Sequence, residues 1–287
     1  MTLQRTDFRL FHRLRVRWAE VDMQKIVFNG HYLMYLDTAM SDYWRALALP
    51  YEAAMLALGG DVYVKKASVE YHGSAHYDDV LDVGLRCQRI GTSSLTFQGA
   101  IYAGDTLLVT GELIYVFADP LTQKSKPVPA ALRQTMEQFE AGHTMTRMEV
   151  NTWTALESAA SSLRELVFVK EQDISTEIVW DALDEDAVHA VSFNTMGLPI
   201  ATGRLLQTAP GMGRIGRMAV RRELRGARLG GDVLHTLVQA SQKRGDREVS
   251  LHAQCSAENF YLRHGFVARG PTSEEAGIRH IDMVRVF

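Results

Sequence analysis

The chain has 287 residues, and two domains are favoured over one because a domain typically has about 100–200 residues. Hydrophobic residues make up 46% and charged residues 23%, which is typical of a globular protein and argues against a disordered chain. The formal net charge is −3, so no overall basic field indicates nucleic acid or an anionic membrane as a partner.

Cysteine and histidine usage gives no sign of a metal site or a disulfide framework. Cys87 and Cys255 stand far apart and neither has a nearby second cysteine, which fits a reducing compartment. His72 and His76 have the spacing of metal ligands on a helix, but no helix is expected there. The N-terminus has no apolar run, and no stretch of about 18 apolar residues occurs. We therefore expect a cytoplasmic protein with no signal peptide, no membrane span and no metal.

The first half combines one helix-like segment with several strand-like ones. Apolar residues recur at helical spacing over residues 29–49, and Pro50 ends the segment. Farther along, apolar and polar residues alternate with the period of a strand. One helix followed by strands predicts an α+β fold with an antiparallel sheet. The strand-like segments are 10–18, 81–88, 95–102 and 107–117.

The second half has a different order of elements. The polar segment 119–129 is typical of a turn or linker, and a short helix is predicted over 130–140. We place the domain boundary near residues 142–148. Beyond it, a strand, a glycine turn, a helix and a strand form a predicted βαβ unit. The predicted strands are 148–153, 189–194, 199–206, 215–220 and 249–253, and the predicted helices are 155–169 and 231–244.

Asp22 stands seven residues before Asn29, where the long helix is predicted to begin. Asn is a favoured N-cap, and the first backbone N–H groups of a helix lack internal partners and carry positive potential. Such a helix end can polarise a thioester carbonyl, and a nearby carboxylate can attack the carbonyl or activate a water. From spacing alone, the simpler interpretation is favoured: Asp22 bonds its own backbone and Asn29 is only a cap.

The wider segment resembles the hotdog-fold thioesterases of the 4-hydroxybenzoyl-CoA thioesterase type. Their signature is an Arg-aromatic strand, a Glu/Asp-x-Asp turn and an Asn-x-x-Tyr helix start, which residues 20–22 and 29–32 match. The resemblance implies a hotdog domain over residues 1–142, with an antiparallel sheet wrapped on a central helix. It also implies that Asp22 is the catalytic carboxylate and that the backbone N–H near Asn29 binds the thioester oxygen.

Neighbouring residues qualify the expected chemistry. Lys25 stands where many members of that family carry glycine, so it bears on the substrate range. Val27 stands where hydratase-type hotdog proteins carry histidine, so dehydration is disfavoured. His31 and Tyr32 are expected to bind substrate by lining or bracing the pocket. On helix-face grounds alone, Tyr32 is equally a core aromatic whose hydroxyl is satisfied.

In the second half, residues 225–231 form a glycine-containing turn between a predicted strand and a predicted helix. Backbone N–H groups at such a helix start can cradle a pyrophosphate, and Arg225 and Arg228 add charged donors. Alone this signal is weak, because a tight strand–helix connection with solvated arginines has the same pattern.

Several matches together resemble the GNAT N-acetyltransferases, in particular their ElaA-like branch. The turn resembles the family motif Arg/Gln-x-x-Gly-x-Gly/Ala after a Met-Ala-Val strand, except that Arg228 replaces the middle glycine. Segment 253–266 resembles the family segment that ends in Phe-Tyr-x-x-x-Gly-Phe, and segment 275–283 resembles the ElaA-like tail. The resemblance implies a GNAT α/β domain with a mixed sheet over residues 148–287.

This resemblance implies a site for acetyl-CoA as co-substrate. Backbone groups of Met218, Ala219 and Val220 would pair with the pantetheine arm. Tyr261 would protonate the departing thiolate, which suits a phenol with a pKa of ~10, although it is alternatively a buried aromatic under the cofactor. The base for the amine stays open among Glu171, Asp184, His189 and His280. The pyrophosphate turn comprises Arg225, Gly226, Ala227, Arg228, Leu229, Gly230 and Gly231.

The leading hypothesis is a bifunctional enzyme that hydrolyses an acyl-CoA and transfers acetyl from acetyl-CoA to an unidentified amine. The hotdog resemblance implies a homodimer or homotetramer in which Asp22 faces a second chain. The alternative is an acyl-CoA-binding or regulatory protein in which one half is catalytically silent. Lys25 and Arg228 are the departures that favour this alternative.

Overall fold

The structure is a computed structural model that describes residues 3–275 and 277–287. The chain divides into two compact units, a first unit of Met1–Met145 and a second unit of Thr146–Phe287. Among the described residues, no helix is both long and apolar enough to cross a membrane.

The described part of the first unit contains one five-stranded antiparallel sheet and three α-helices. The strand order is β1-β3-β4-β5-β2, which places β1 and β2 at the two edges. The strands are β1 (Leu10–Arg15), β2 (Asp61–Tyr71), β3 (Val80–Ile90), β4 (Ser94–Ala103) and β5 (Thr106–Ala118), and the helices are α1 (Asn29–Ala46), α2 (Tyr51–Leu58) and α3 (Ala130–Glu140).

Helix α1 packs closely on the sheet because two glycines leave room for one leucine. Gly99 of β4 and Gly111 of β5 are directly paired. A Cβ atom built on either glycine would lie 2.3 or 2.6 Å from the side chain of Leu36, which is fully buried. Glycine inside a strand often marks such a close approach. The two glycines therefore let α1 approach the face of the sheet closely.

The second unit contains one mixed sheet of eight strands, whose main path has the order β11-β13-β10-β9-β8-β7-β6, with β12 paired to β13. The strands are β6 (Thr146–Asn151), β7 (Val188–Asn194), β8 (Pro199–Ala209), β9 (Met212–Val220), β10 (Glu248–Gln254), β11 (Val267–Ala268), β12 (Ser273–Glu275) and β13 (Ile278–Val286). The helices are α4 (Trp153–Arg164), α5 (Thr176–Val179), α6 (Leu229–Arg244) and α7 (Glu258–Arg263).

Strands β9 and β10 run parallel, and the other pairs in this sheet are antiparallel. Helix α6 connects the parallel pair, so this part of the unit is the predicted βαβ unit. The predicted fold class is confirmed: the first half is an α+β unit with an antiparallel sheet, and the second half has a mixed sheet.

Several predicted bounds in the first unit are wrong. The strand predicted over 10–18 ends at Arg15, and Trp18–Glu20 form a 3-10 turn. The helix predicted over 29–49 ends at Ala46, and a second helix, α2, follows Pro50. Strand β2 was not predicted because most of its residues are exposed, so it lacks the alternation of a half-buried strand.

The second unit also departs from its predicted bounds. The strand predicted over 148–153 ends at Asn151, because Thr152 takes the N-cap position of α4 with φ −70° and ψ 166°. That helix changes at Arg164 into a π-helix over Glu165–Glu171. Helix α6 begins at Leu229, two residues before its predicted start.

Candidate functional site

The loop between β1 and α1 is a closed turn around Asp22. The Asp22 N–H donates to the Ile26 carbonyl (2.9 Å) and the Lys25 N–H donates to the Asp22 carbonyl (3.0 Å). The Asp22 carboxylate accepts a bond from the Gln24 N–H (2.8 Å). Lys25 has a φ of 62°, which lies in the left-handed region, where a residue with a Cβ costs about 1–2 kcal/mol. The turn therefore keeps a glycine-like conformation at the position where the resemblance expects glycine.

The start of α1 is tied to this turn. Helix α1 begins at Asn29, but its cap position is Phe28, so the expectation that Asn29 is the N-cap is wrong. The Phe28 N–H donates to the Glu20 carbonyl (2.9 Å), and Val21 and Val27 form an antiparallel bridge. The unpaired N–H groups at a helix start and the half-buried carboxylate of Asp22 therefore belong to one small closed loop.

Tyr32 braces the loop from inside the protein. Its hydroxyl accepts a bond from the Ala75 N–H (2.9 Å), and the Ala75 carbonyl accepts one from the Val27 N–H (2.8 Å). Tyr32 is buried, and burial raises the pKa of its phenol. His31 is half-buried and its ring stacks on Tyr35 with centroids 6.4 Å apart. The side chain of Tyr32 thus holds the backbone of the loop through Ala75. This contact fits a residue that braces the pocket.

Glu20 is a buried carboxylate that the sequence did not single out. Its side chain accepts bonds from the Tyr35 hydroxyl (2.9 Å) and from the guanidinium Nε of Arg17 (2.8 Å). Burial alone would raise the pKa of Glu20, but the bonds from Arg17 and Tyr35 outweigh it, so the pKa lies below its ordinary value. Glu20 therefore anchors α1 beside the Asp22 turn as a fixed negative charge.

The second unit contains a cavity of about 450 Å³ where β9 and β10 separate. The two strands pair only as far as Ile215 opposite Leu251, yet they continue to Val220 and Gln254. The opening lies between the unpaired ends. Residues that line it include Gly216, Met218, His252, Gln254, Tyr261 and His280.

A β-bulge directs β9 away from β10. Thr202 pairs with Ala219 and Arg204 pairs with Gly216, so the two residues between them on β9 oppose one residue on β8. Arg217, within the bulge, has a φ of 53°. A bulge bends a strand and increases its twist, which accounts for the separation of the parallel pair beside Met218.

The turn before α6 contains two residues with left-handed backbone conformations. Gly226 has a φ of 90°, and Arg228, with a φ of 63°, is the residue immediately before the helix. Arg228 therefore adopts a glycine-type conformation at the position where the resemblance expects glycine. Residues 225–228 are exposed, so an anion can reach the N-terminus of α6, where backbone donors and the helix dipole favour it.

Arg225 of this turn is already engaged by a carboxylate. Its two terminal nitrogens donate to the two oxygens of Glu171, each at 2.6 Å. The bonds from Arg225 lower the pKa of Glu171. Glu171 is therefore an ion-pair partner of the turn, and a pyrophosphate would compete with it for Arg225.

Tyr261 lies in the wall of the cavity. Its side chain is 8% exposed, and burial raises the pKa of its hydroxyl to about 12. The phenol is therefore protonated at neutral pH and can donate a proton, as a general acid must.

Two of the four candidate bases lie in a buried ion cluster. Asp184 accepts bonds from Arg164 (2.8 Å) and Arg204 (2.9 Å), and His189 bonds the Asp184 carbonyl (2.9 Å). Burial lowers the pKa of His189. Neither Asp184 nor His189 is among the described residues that line the cavity, whereas His280 is.

Sequence reasoning missed two groups in the cavity wall and one carboxylate beside it. His252 and Glu275 line the same wall as His280, and the rings of His252 and His280 stack with centroids 4.8 Å apart. The Asp282 carboxylate lies 2.7 Å from Nδ1 of His252. The alternation of strand β10 places His252 on the same face as Gln254, which is the only signal in the sequence that could have indicated it.

These two architectures define the class of each unit. A sheet curved around one helix with a carboxylate at the helix start is the hotdog arrangement. A mixed sheet with a separated parallel pair and a glycine turn at a helix N-terminus is the GNAT arrangement. Family models agree: one described as an acetyltransferase (GNAT) domain matches residues 166–287, and one described as the thioesterase superfamily matches residues 24–110.

Individual relatives fall into the same two groups. The uncharacterized N-acetyltransferase YjcF of Bacillus subtilis is 33% identical over 124 residues, which are 43% of this chain and 87% of YjcF. The acyl-CoA thioester hydrolase YbgC of Escherichia coli is 28% identical over 120 residues, 42% of this chain and 89% of YbgC. The crystal structure of Escherichia coli ElaA covers 49% of this chain and 99% of its own, with a TM-score of 0.45 and 27% identity. The chain therefore belongs to the thioesterase superfamily through its first unit and to the GNAT acetyltransferases through its second.

Proposed function

We propose that the chain is a bifunctional CoA-dependent enzyme, an acyl-CoA thioesterase over residues 1–142 and an N-acetyltransferase over residues 148–287. The observation that carries the acetyltransferase half of the proposal is the cavity between β9 and β10, because Tyr261, a buried proton donor, lies in its wall. We further propose that the protein acts in the cytoplasm as a homodimer or homotetramer formed through its first units.

In the first unit, Asp22 is the proposed catalytic carboxylate. It would activate a water or attack the thioester carbonyl, and the N–H groups at the start of α1 near Asn29 would stabilise the oxyanion. His31 and Tyr32 would support the substrate pocket. The closed loop that ties Asp22 to the helix start supports this assignment, as does the similarity to YbgC, which is named an acyl-CoA thioester hydrolase.

The thioesterase is tested with Asp22→Asn and a panel of acyl-CoA substrates of different chain length. We expect CoA release to fall by about 10²–10⁴-fold, because amide nitrogen replaces one carboxylate oxygen and the general base or nucleophile is lost. Asp105→Asn, in the exposed turn between β4 and β5, is the matched control and keeps full activity. No CoA release by the unaltered chain with any substrate, despite binding, rejects hydrolysis.

In the second unit, backbone groups of Met218, Ala219 and Val220 are proposed to pair with the pantetheine arm. The turn from Arg225 to Gly231 would hold the pyrophosphate. When the amine attacks the acetyl carbonyl, Tyr261 would donate its proton to the sulfur of the departing CoA. The high pKa of the buried phenol and its position in the cavity wall support this role.

The acetyltransferase is tested with Tyr261→Phe, which keeps the buried ring and removes only the hydroxyl. We expect kcat for acetyl transfer to a panel of primary amines to fall by about 10²–10⁴-fold, with the KM for acetyl-CoA unchanged. Tyr77→Phe, at an exposed position in the first unit, is the control. An unchanged kcat in Tyr261→Phe assigns the proton donor elsewhere.

The ion pair between Glu171 and Arg225 favours one alternative, a regulatory second unit that is catalytically silent. In that case Arg225 stays paired with Glu171 while acetyl-CoA binds to the other donors of the turn, and no transfer follows. Tight binding of acetyl-CoA with no transfer to any amine is the result that selects this alternative.

A further inference from the structure

The cavity of the second unit carries a cluster of three potential metal ligands from three strands. His252 lies on β10, Glu275 at the end of β12 and His280 on β13. Each offers one ligand atom, and the three atoms lie within 4.8 Å of one another. Nε2 of His252 is 3.6 Å from a carboxylate oxygen of Glu275. Strand pairing fixes this arrangement, since Gln254 pairs with His280 and Ile278 pairs with Glu275.

His252 and His280 each have a hydrogen-bond partner at Nδ1, which leaves Nε2 of each ring as the candidate metal ligand. Nδ1 of His252 lies 2.7 Å from the Asp282 carboxylate, and Nδ1 of His280 lies 2.8 Å from the Ile278 carbonyl. Both partners are acceptors, so each Nδ1 donates to its partner and each Nε2 is the ring nitrogen left to face a metal ion. A carboxylate behind a histidine is also the usual support of a metal-bound imidazole.

We propose that His252, Glu275 and His280 form a binding site for a divalent transition metal of the zinc class. Two imidazoles and one carboxylate are the three protein ligands of an open zinc site, with metal–ligand distances of about 2.0–2.2 Å. In tetrahedral geometry such ligands lie ~3.4 Å apart, close to the 3.6 Å between His252 and Glu275. Metal binding would require the stacked rings of His252 and His280 to turn out of their parallel arrangement, so that both Nε2 atoms point at one ion.

The cluster differs from an exposed group of acidic residues in its ligands and its support. It contains two imidazoles, each with a hydrogen-bond partner at Nδ1. The hydroxyl of Ser273 lies 3.5 Å from Nε2 of His252 and would give way to the ion. The fourth position of the metal would open to the cavity, where water or a donor atom of the acceptor can bind. The site goes beyond the proposed acetyl transfer, which does not require it.

The test uses Zn²⁺ and Co²⁺ alone, with untagged full-length chain and no acetyl-CoA. We expect one equivalent of Zn²⁺ to bind, measured by competition with a chromophoric chelator, and Co²⁺ to show the visible absorption of a tetrahedral site. His252→Ala and His280→Ala each weaken binding by at least ~100-fold, and Asp282→Asn weakens it by about 10–100-fold because the support of His252 is lost. His235→Ala, an exposed histidine of α6, binds as the unaltered chain does.

Three results overturn the proposal. They are the absence of stoichiometric Zn²⁺ binding, binding that survives His252→Ala and His280→Ala together, and an octahedral Co²⁺ spectrum that His235→Ala removes. Glu275→Gln, which preserves shape, guards against loss of folding in the alanine variants and must itself weaken binding. If metal does not bind but His252→Ala and Asp282→Asn lower kcat, the pair acts as the base for the amine. Because binding is measured without acetyl-CoA, its failure leaves the acetyltransferase proposal intact.

Discussion

Asp184→Asn should destabilise the second unit strongly, because Asp184 is the shared carboxylate partner of two buried guanidinium groups. The carboxylate is 2% exposed and accepts bonds from two buried guanidinium groups, Arg164 at 2.8 Å and Arg204 at 2.9 Å. Arg164 is fully buried, and its Nε has no hydrogen-bond partner among the described residues. Arg204 has a second carboxylate partner, Asp181. Arg164 therefore depends on Asp184 for its compensating charge.

The magnitude follows from these contacts. Asparagine keeps the shape but can accept only one of the two bonds, and its amide group would face the other guanidinium, donor against donor. Bonds to charged groups contribute about 1.5–3 kcal/mol each, and removal of one partner from a buried pair costs about 3–5 kcal/mol. We expect the second unit to lose about 3–5 kcal/mol, a large part of the about 5–15 kcal/mol that stabilises a typical domain.

The measurement must separate the two units, because a single free energy of unfolding is not defined for a chain that unfolds in two steps. Hydrogen exchange of amides in β7 and β8 reports the second unit directly. We expect their protection to fall in Asp184→Asn, while amides of β3 and β4 in the first unit stay unchanged. Glu248→Gln removes a more exposed ion pair with Arg269 and should leave both units unchanged.

The effect should also depend on pH. Burial alone would raise the pKa of Asp184, but its bonds and charge interactions with Arg164 and Arg204 outweigh it and hold the pKa below the usual value of 3.8. A depressed pKa contributes stability that is complete above the usual value and is lost as the pH falls through the folded value. The difference in stability between the unaltered chain and Asp184→Asn should therefore shrink in acid. A difference below ~1 kcal/mol at neutral pH, or one that grows in acid, refutes the reasoning.

Two further predictions concern the proposed sites. Arg228→Gly should stabilise the second unit by up to about 1 kcal/mol, because glycine removes the left-handed strain at φ 63°. The measurement is urea unfolding followed by hydrogen exchange. Arg228→Ala keeps that strain and should not stabilise the unit, so equal effects of the two substitutions would contradict backbone strain as the cause. Tyr32→Phe should destabilise the first unit by about 1–3 kcal/mol, because the buried Ala75 N–H loses its acceptor. Calorimetry should show a lower unfolding temperature for Tyr32→Phe and no change for Tyr77→Phe, which alters an exposed residue. An unchanged unfolding temperature in Tyr32→Phe would show that Tyr32 does not brace the loop.

The two glycine departures illustrate how sequence and structure divide the problem. Lys25 and Arg228 both stand where the resemblances expect glycine, and both take up left-handed φ values of 62° and 63°. The family pattern of a turn survives these substitutions because the surrounding hydrogen bonds determine the backbone. Sequence could mark the two positions as unusual, but the conformation at each is set by contacts with the rest of the loop.

The sequence by itself determined the fold class of each half and the motifs around Asp22, the turn at residues 225–231 and the segment that contains Tyr261. These features are local, since periodicity, caps and glycine turns act over a few residues. Only the tertiary structure decided that Leu36 sinks against Gly99 and Gly111. It also decided that Asp184 is an ion partner of Arg164 and Arg204 and lies outside the cavity wall that contains Tyr261. Both depend on side chains far apart in the chain, whose packing no short pattern records.

The cluster of His252, Glu275 and His280 shows the same division most clearly. The three residues lie on three strands, and no spacing between them in the sequence corresponds to a known ligand pattern. The sequence shows only that two imidazoles and one carboxylate are present in the chain at these positions. Antiparallel pairing of β10 and β12 with β13 brings them within 4.8 Å. Strand register is set by long-range hydrogen bonds and burial, so only the folded sheet could bring these three groups into one cavity wall.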